Sequence, residues 1–322
     1  MSSRRAPVDD ATLALLLEVA GTPKPGNVDR ERDLDDLRFE AFLGGAVGAR
    51  AGLERAARGG AVGHAFERGV AGMADRAGTN TQFGCLLLLV PLLRASEADG
   101  LSPTGLDRVT RGTTVDDAVA FYRAFEHVDV AVAEPPPDAS DLDVRRGAAA
   151  EPALRDRGVT LRDVMERSAE PDGERVPDRN AQEWVEGFPR TFRAAEWIRT
   201  DEGPITDRAA RAFIGLLATE PDTLVATAHD PETAREASAR AAELVASGGP
   251  NSKRLLEADH PPDADAVHGI DLDAASELAE AFVDEGINPG TTADITCAAL
   301  YVALRCGATV GSDPDPGPEV ET

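Results

Sequence analysis

The sequence is almost without lysine: only Lys24 and Lys253 occur among its 322 residues, so nearly all of its positive charge is arginine. Aromatic residues make up 4% of the chain, and the core must therefore be built mainly from alanine, leucine and valine. The longest apolar run, residues 85–93, is much too short to cross a bilayer, and no signal segment precedes the first amphipathic helix. We therefore expect a soluble cytoplasmic protein.

Cysteine and histidine are also scarce. Cys85, Cys297 and Cys306 form no CxxC pair and lie in apolar helical contexts, which predicts buried free thiols. No two of the five histidines have the spacing of a metal cluster, and we interpret them as structural or surface residues. The two tryptophans, Trp184 and Trp197, are expected in the core or at its rim rather than as stacking platforms for a base.

Negative charge is abundant, with 58 acidic against 33 basic residues and a net charge of −25. Such a surface repels nucleic acid and anionic membranes, so neither is expected as a partner. The acidity is typical either of an acidic interaction protein or a disordered chain, or of a surface adapted to high salt. The acids are spread along the whole chain and lysine is nearly absent, which favours a halophile. In that interpretation, the acidity reflects the habitat rather than the function.

Hydrophobic periodicity is helical nearly everywhere, and no segment alternates with the period of two that is typical of strands. We predict an all-α protein of about ten helices, with residues 1–311 as a single helical domain and residues 312–322 as a disordered acidic tail. The predicted helices are residues 11–20, 34–58, 61–76, 80–98, 113–128, 160–170, 180–200, 206–220, 230–247, 271–286 and 291–307.

The segment TPKPGNVDR, residues 22–30, follows the first helix and carries one of the two lysines. Its prolines bias the residues before them towards extended backbone, and Gly26 permits a turn. A stiff loop of this composition suits a polyphosphate with a divalent metal, since lysine supplies a point charge and aspartate a hard oxygen ligand for Mg²⁺. A rigid turn with solvated charges is equally consistent with it. The candidate binding residues are Thr22, Lys24, Gly26, Asn27, Asp29 and Arg30.

Two further helix starts have a similar composition, with asparagine, threonine, glycine and one acid or amide. GTNTQFG, residues 78–84, opens the most apolar helix, and one of its polar residues is expected to be an N-cap. NPGTTAD, residues 288–294, opens the last helix, where Thr291 or Thr292 is expected to cap it. Three such helix starts, far apart in sequence, are expected to form one pocket. Its further candidate residues are Thr79, Asn80, Thr81, Gly290, Thr291, Thr292 and Asp294.

At these three segments, and in the same order, the chain resembles the triphosphoribosyl-dephospho-CoA synthase family. The likeness runs from about Leu13 to Leu304. It implies an all-helical enzyme that joins ATP to 3′-dephospho-CoA and releases adenine, making a prosthetic-group precursor for acyl carrier proteins of citrate lyase and malonate decarboxylase. It also implies that Lys24, Asp29 and Arg30 lie at the triphosphate end, and that Asn80, Thr81, Thr291, Thr292 and Asp294 complete the site. EGFPRTF, residues 186–192, resembles a further family segment more loosely.

If that reaction holds, the 2′-hydroxyl of dephospho-CoA attacks C1′ of the ATP ribose through a transition state with oxocarbenium character. Asp29 and Asp294 are the candidate catalytic and metal-binding carboxylates, with Mg²⁺ as the expected ion and ATP as substrate. Lys24 is the third catalytic candidate and neutralises phosphate together with Arg30. We expect Lys24→Ala to abolish turnover and to leave the fold intact.

The chain also departs from the family pattern. A later family run resembling DDTNLLHRGG reads EPDTLVATAHD here, residues 220–230, which keeps Asp222 and Thr223 but lacks the Arg-Gly-Gly. This departure leaves two alternatives open. The protein could transfer a phosphoribosyl-type group to another cofactor precursor, or it could be a helical nucleotide-binding protein without turnover.

Overall fold

The computed structural model describes residues 5–98, 100–132, 137–170, 176–247 and 261–311. Lys253, His260 and the predicted acidic tail lie outside these residues, and the domain limits stay a prediction. The described part is all helical, as predicted, and it contains no strand. The first helices are α1 Pro7–Ala20, α2 Phe39–Gly48, α3 Arg50–Ala57, α4 Val62–Ala77, α5 Phe83–Ala98, α6 Pro103–Arg111, α7 Val115–Ala124, α8 Glu151–Arg157 and α9 Leu161–Ala169.

The second half of the described chain continues with helices of more varied length. They are α10 Arg179–Glu186, α11 Pro189–Thr200, α12 Ile205–Thr219, α13 Thr223–Ala228, α14 Pro231–Ser247, α15 Ala264–His268, α16 Leu272–Glu285 and α17 Gly290–Arg305. Two 3₁₀ segments, Pro137–Leu142 and Val144–Ala150, lie between α7 and α8. The prediction of about ten helices was therefore too low, partly because short helices such as α6, α8, α13 and α15 were not recognised.

Two predicted helices are each divided in the structure. The predicted helix 34–58 is interrupted at Ala49, which separates α2 from α3. The predicted helix 180–200 is broken at Gly187 and Phe188, both with positive φ (82° and 64°), before Pro189 starts α11. The helix α10 ends at Glu186 with Gly187 as its left-handed C-cap, and Pro189 disfavours a further α-helical residue at Phe188.

The core is centred on α5 and α17, which pack against each other. Pro91 lies inside α5 and has no N–H to donate to the Leu87 carbonyl one turn earlier. The indole Nε1 of Trp184, which is buried, donates to that carbonyl at 3.1 Å. The prediction that Trp184 and Trp197 lie in the core or at its rim is confirmed, since both are buried.

The remaining predictions on scarce residues are mostly confirmed. Cys85 and Cys297 are buried free thiols, whereas Cys306 is exposed and was predicted wrongly, because it follows the last turn of α17. His229 and His268 each contact a main-chain carbonyl at 3.0 Å, which is a structural role. None of the helices in the described segments has both the length and the apolar character needed to cross a membrane.

Candidate active site

The three predicted segments meet at the N-terminal end of α17. Asn27, in the loop after α1, donates from Nδ2 to Oδ1 of Asn288 at 2.9 Å. Cys85, in the first turn of α5, donates from Sγ to Oδ1 of Asp294 at 3.3 Å. Segments that are more than 200 residues apart in the chain therefore share one polar cluster, as the sequence led us to expect.

Lys24 does not face solvent. Its side chain is 1% exposed and its Nζ forms an ion pair with Glu18, which is also 1% exposed, and donates to Oδ1 of Asn27 at 3.1 Å. Burial raises the pKa of Glu18, and the charge of Lys24 opposes that rise. A buried pair of this kind holds α1 against the loop that follows it. Lys24 reaches a phosphate only if this pair opens.

Asp29 organises the backbone of the same loop. Its two oxygens accept five hydrogen bonds, from the Thr22 hydroxyl, from the backbone N–H groups of Lys24, Glu31 and Arg32, and from the Arg32 guanidinium, at 2.8–3.2 Å. A carboxylate satisfied in this way would have to give up hydrogen bonds before it bound a metal or took a proton. The catalytic and metal-binding roles of Asp29 stay predictions that its surroundings disfavour.

Gly26 sets how closely the first segment approaches the third. It has φ of +70°, and a Cβ placed on it would lie 1.8 Å from the carbonyl oxygen of Ile287. Gly26 is therefore required both by its left-handed backbone and by the contact.

We expect Gly26→Ala to destabilise the fold by about 1–3 kcal/mol more than the control Gly286→Ala. Gly286 also has φ of +70°, but a Cβ there would meet nothing within 4 Å. The comparison therefore separates overlap with Ile287 from the backbone strain that both variants share. Urea unfolding of the two variants measures the difference. Equal losses of stability would show that the loop can move away from α17 without cost.

The second segment provides one cap and two unpartnered polar atoms. Asn80 accepts the backbone N–H of Phe83 at 3.2 Å, which confirms that one residue of this group caps α5. Oγ1 of Thr81 and Oε1 of Gln82 are buried without a hydrogen-bond partner in the described structure, while Nε2 of Gln82 donates to the Leu15 carbonyl at 3.2 Å. Buried polar atoms normally have partners, so a water or a substrate group is expected here.

Asp294 is the half-buried carboxylate at the centre of this cluster. One oxygen accepts from Cys85 and the other accepts from Nδ2 of Asn180 at 2.8 Å. A Cβ on Gly84 would lie 1.9 Å from Oδ2 of Asp294, so glycine is required at the start of α5 for this carboxylate to fit. Burial raises the pKa of Asp294 from 3.8 to about 7, against the two hydrogen bonds, which lower it. This carboxyl is therefore placed to exchange a proton near neutral pH.

The cap of α17 comes from a distant residue. Asp222 accepts from the backbone N–H and the hydroxyl of Thr292, both at 2.7 Å, and from the N–H groups of Leu224 and Val225 at the start of α13. The expectation that Thr291 or Thr292 caps the helix was wrong, since Pro289 occupies the N-cap position without a side-chain bond. Burial raises the pKa of Asp222, and its four hydrogen bonds oppose that rise.

The sequence-predicted residues differ widely in their access to solvent. Those that are buried are Thr22, Lys24, Gly26, Asn27, Asp29, Thr291 and Thr292. Those that are half-buried are Thr79, Asn80, Thr81, Gly290 and Asp294, and Arg30 is exposed. Sequence reasoning missed Glu18, Asn180 and the role of Cys85. A lone acid in the apolar stretch ALLLEVA was the one available signal for Glu18, because an unpaired buried charge requires a partner.

The donor set fits a metal ion only in part. Within the described residues, no group of three or more histidine, cysteine, aspartate or glutamate side chains is placed to hold one. Asp294 is half-buried and could supply one oxygen, whereas Asp29 is already occupied.

Comparison with known proteins identifies the family. The family model of ATP:dephospho-CoA triphosphoribosyl transferase matches residues 4–309. A crystal structure from Archaeoglobus fulgidus, described as a proposed triphosphoribosyl-dephospho-CoA synthase, aligns with a TM-score of 0.59 at 22% identity, over 83% of this chain and 99% of that chain. At this identity the crystal structure supports the fold alone, and no curated protein matches the chain. Because the family model covers nearly the whole chain, the protein belongs to the ATP:dephospho-CoA triphosphoribosyl transferase family.

Proposed function

We propose that this transferase joins the triphosphoribosyl group of ATP to 3′-dephospho-CoA and releases adenine, with Asp294 as the base. The observation that carries the proposal is the meeting of three distant polar segments around one half-buried carboxylate at the start of α17. The enzyme would act in the cytoplasm.

In this proposal, Asp294 takes the proton from the 2′-hydroxyl of dephospho-CoA as that oxygen attacks C1′ of the ATP ribose. The new C1′–O bond forms while the bond from C1′ to the adenine nitrogen breaks. Adenine leaves with the electron pair and takes up a proton, which balances the one that Asp294 receives. Positive charge develops at C1′ in the transition state, and a nearby carboxylate stabilises it.

Two neighbours hold Asp294 in place for this step. Asn180 and Cys85 each donate to a different oxygen of the carboxylate, which fixes its orientation. Oδ1 of Asn180 is buried without a partner in the described structure, as is Oγ1 of Thr81. These atoms are available to hydroxyl groups of a ribose, which would complete their hydrogen bonding.

We assign a structural role to the first segment in this proposal. Lys24 and Asp29 hold the loop that places Asn27 against Asn288, and so fix one wall of the site. Arg30 is exposed at the end of the loop and remains available to a phosphate. Mg²⁺ would enter bound to the phosphates of ATP, since it keeps most of its waters and few protein ligands.

Incubation of the enzyme with ATP, MgCl₂ and dephospho-CoA is expected to release adenine and to give an adduct with the mass of triphosphoribosyl-dephospho-CoA. Chromatography measures adenine and mass spectrometry measures the adduct. Concentrated KCl screens the repulsion within a chain of net charge −25 and is included for that reason. Adenine released only with another acceptor would favour the alternative substrate, and nucleotide binding without any product would contradict the proposed transfer.

A further inference from the structure

A small recess with both charged and apolar lining residues lies beside the start of α17. Its enclosed part has a volume of about 20 Å³, the rest is open to solvent, and its basic lining residues are Arg179, Arg190 and Arg193. Thr291 and Thr292 form its wall at the start of α17. Sequence analysis assigned none of these arginines to the site. Glu220 and Asp222 line the same recess, so its three guanidinium groups outnumber the lining carboxylates by one.

Two of the three arginines are ordered by Glu220. Oε2 of Glu220 lies 2.8 Å from Nη1 of Arg179 and 3.0 Å from Nη2 of Arg190. Arg190 also pairs with Glu186 at 2.9 Å and with the buried Glu183 at 3.4 Å. The side chains of Arg179 and Arg190 are 14% and 11% exposed, so the pairs are held largely out of water. These two arginines have carboxylate partners already and shape the recess.

Arg193 differs from the other two. Its Nη1 is buried without a hydrogen-bond partner in the described structure. Burial lowers the pKa of Arg193, although the charge of Glu220 opposes that effect. An unsatisfied, desolvated guanidinium donor destabilises the fold unless something accepts its hydrogen bond. A phosphate oxygen is the acceptor that guanidinium geometry fits best after a carboxylate.

A strained turn at Phe188 precedes α11, the helix that carries Arg190 and Arg193. Phe188 is buried and holds φ of 64°, which is uncommon for a residue other than glycine. The turn places the N–H groups of Arg190 and Thr191 on the two carboxylate oxygens of Glu183, at 3.1 and 2.9 Å. The chain therefore accepts backbone strain of about 1–3 kcal/mol to start α11 beside the recess, a pattern that is found at ligand sites.

The recess is also connected to the proposed reaction centre. Arg179 lines the recess, and the next residue, Asn180, donates to Asp294. Thr291 and Thr292 line the recess from the turn of α17 that leads to Asp294. A ligand that bridged the two places would run along the N-terminal end of a 16-residue helix, whose partial positive charge favours an anion.

We propose that Arg179, Arg190 and Arg193 form a polyphosphate subsite, in which Arg193 donates directly to a phosphate group of the substrate. The identity of that substrate rests on the proposed function, since both the triphosphate of ATP and the diphosphate of dephospho-CoA have this chemistry. Arg179 and Arg190 position the subsite through Glu220, and Arg193 provides Nη1, a donor without a hydrogen-bond partner among the described residues.

The test is Arg193→Gln, with Arg199→Gln as the matched control. Both arginines lie on α11, but Arg199 is half exposed and pairs with Glu196 at 2.6 Å. Inorganic tripolyphosphate is titrated into each protein by calorimetry. We expect at least tenfold weaker binding in Arg193→Gln and unchanged binding in Arg199→Gln. Without ligand, the urea midpoint for unfolding of Arg193→Gln should equal or exceed that of the wild type, because the substitution removes an unsatisfied buried donor.

Wild-type affinity in Arg193→Gln, or no binding of tripolyphosphate by the wild-type protein, would overturn the subsite. Steady-state kinetics of Arg193→Gln identify which substrate places its phosphates in the subsite. A rise in KM for ATP alone assigns the triphosphate of ATP, a rise in KM for dephospho-CoA alone assigns its diphosphate, and no rise in either contradicts the proposal. If the wild-type protein releases no adenine, the proposed function fails, while the tripolyphosphate titration still decides the subsite.

Discussion

Lys24→Ala is expected to destabilise the protein by about 3–5 kcal/mol, because it leaves the buried Glu18 without its counter-charge. Removing one partner of a buried ion pair is much more costly than removing both, since the remaining charge stays desolvated. Glu18 can relieve part of this cost by taking up a proton. Because burial already raises its pKa, the deficit of Lys24→Ala should shrink as the pH falls and be largest at alkaline pH.

The matched control is the double variant Glu18→Gln/Lys24→Met, which keeps similar volume and removes both charges. We expect it to recover most of the lost stability. Urea unfolding at several pH values measures the wild type, the single variant and the double variant. Wild-type stability in Lys24→Ala would show that the ion pair contributes nothing to the fold.

The role of Lys24 in the structure differs from the one predicted from the sequence. Lys24 between two prolines was interpreted as a phosphate ligand whose loss would leave the fold intact. In the structure, Lys24 contacts Glu18 and Asn27 inside the protein. Loss of turnover in Lys24→Ala is still expected, but it would follow from disorder of the wall that Asn27 and Asn288 form. The double variant separates the two effects, because it should fold without offering a cation.

Asp294→Asn is expected to lower adenine release by about 10²–10⁴-fold and to leave the protein folded. The amide cannot accept the proton from the attacking hydroxyl, and it carries no charge to stabilise C1′. Initial rates of adenine release measure the loss. Asp284→Asn, an exposed position on α16, is the matched control and should keep wild-type rates. A variant at Asp294 with more than a tenth of wild-type activity would exclude this carboxylate as the base.

The pH dependence of the wild-type enzyme provides a second readout of the same residue. A base acts in its deprotonated form, so kcat/KM should rise as the pH passes through about 7, the pKa of Asp294. The free energy of unfolding, in contrast, should fall as the pH rises. The folded pKa lies above the unfolded value of 3.8, so the stabilising contribution of protonated Asp294 is present below pH 4 and is lost as the pH rises to about 7.

Asp294→Asn removes this titration. Relative to Asp294→Asn, the wild type should therefore lose stability between pH 4 and pH 7, by about 4 kcal/mol at most, because solvent at the half-buried carboxyl screens the charge. Urea unfolding of both proteins at pH 5 and pH 8 measures this difference. A constant difference in stability between the two proteins across that range would show that the carboxyl is ionised throughout.

The pattern of the sequence was sufficient for the fold class and for the meeting of the three segments. Helical periodicity and the absence of alternating strands predicted an all-α protein, and the described residues confirm it. The break at Phe188 and the short α13 were missed, because a positive φ before proline and a cap shared with α17 depend on tertiary contacts. Periodicity reports only which face of a helix is buried.

The roles of the charged residues, by contrast, could not be predicted from the sequence. Asp29 and Asp294 were equivalent candidates in the sequence, since both are acids in polar segments that also contain proline and glycine. In the structure, five hydrogen bonds occupy Asp29, while Asp294 remains half-buried with one hydrogen bond on each oxygen. The difference arises from backbone N–H groups that point at one carboxylate and not at the other, which residue types alone do not specify.

The amino-acid sequence by itself determined that this protein is helical, that its charge is borne by arginine and acids, and that its family is readable from three short segments. Only the tertiary structure decided that Lys24 turns inward to Glu18, that Asp222 caps α17, and that Nη1 of Arg193 has no hydrogen-bond partner among the described residues. The physical reason is that the protonation state and the binding capacity of a charged side chain depend on the dielectric and the hydrogen-bond partners around it. Those surroundings are assembled from residues far apart in the chain.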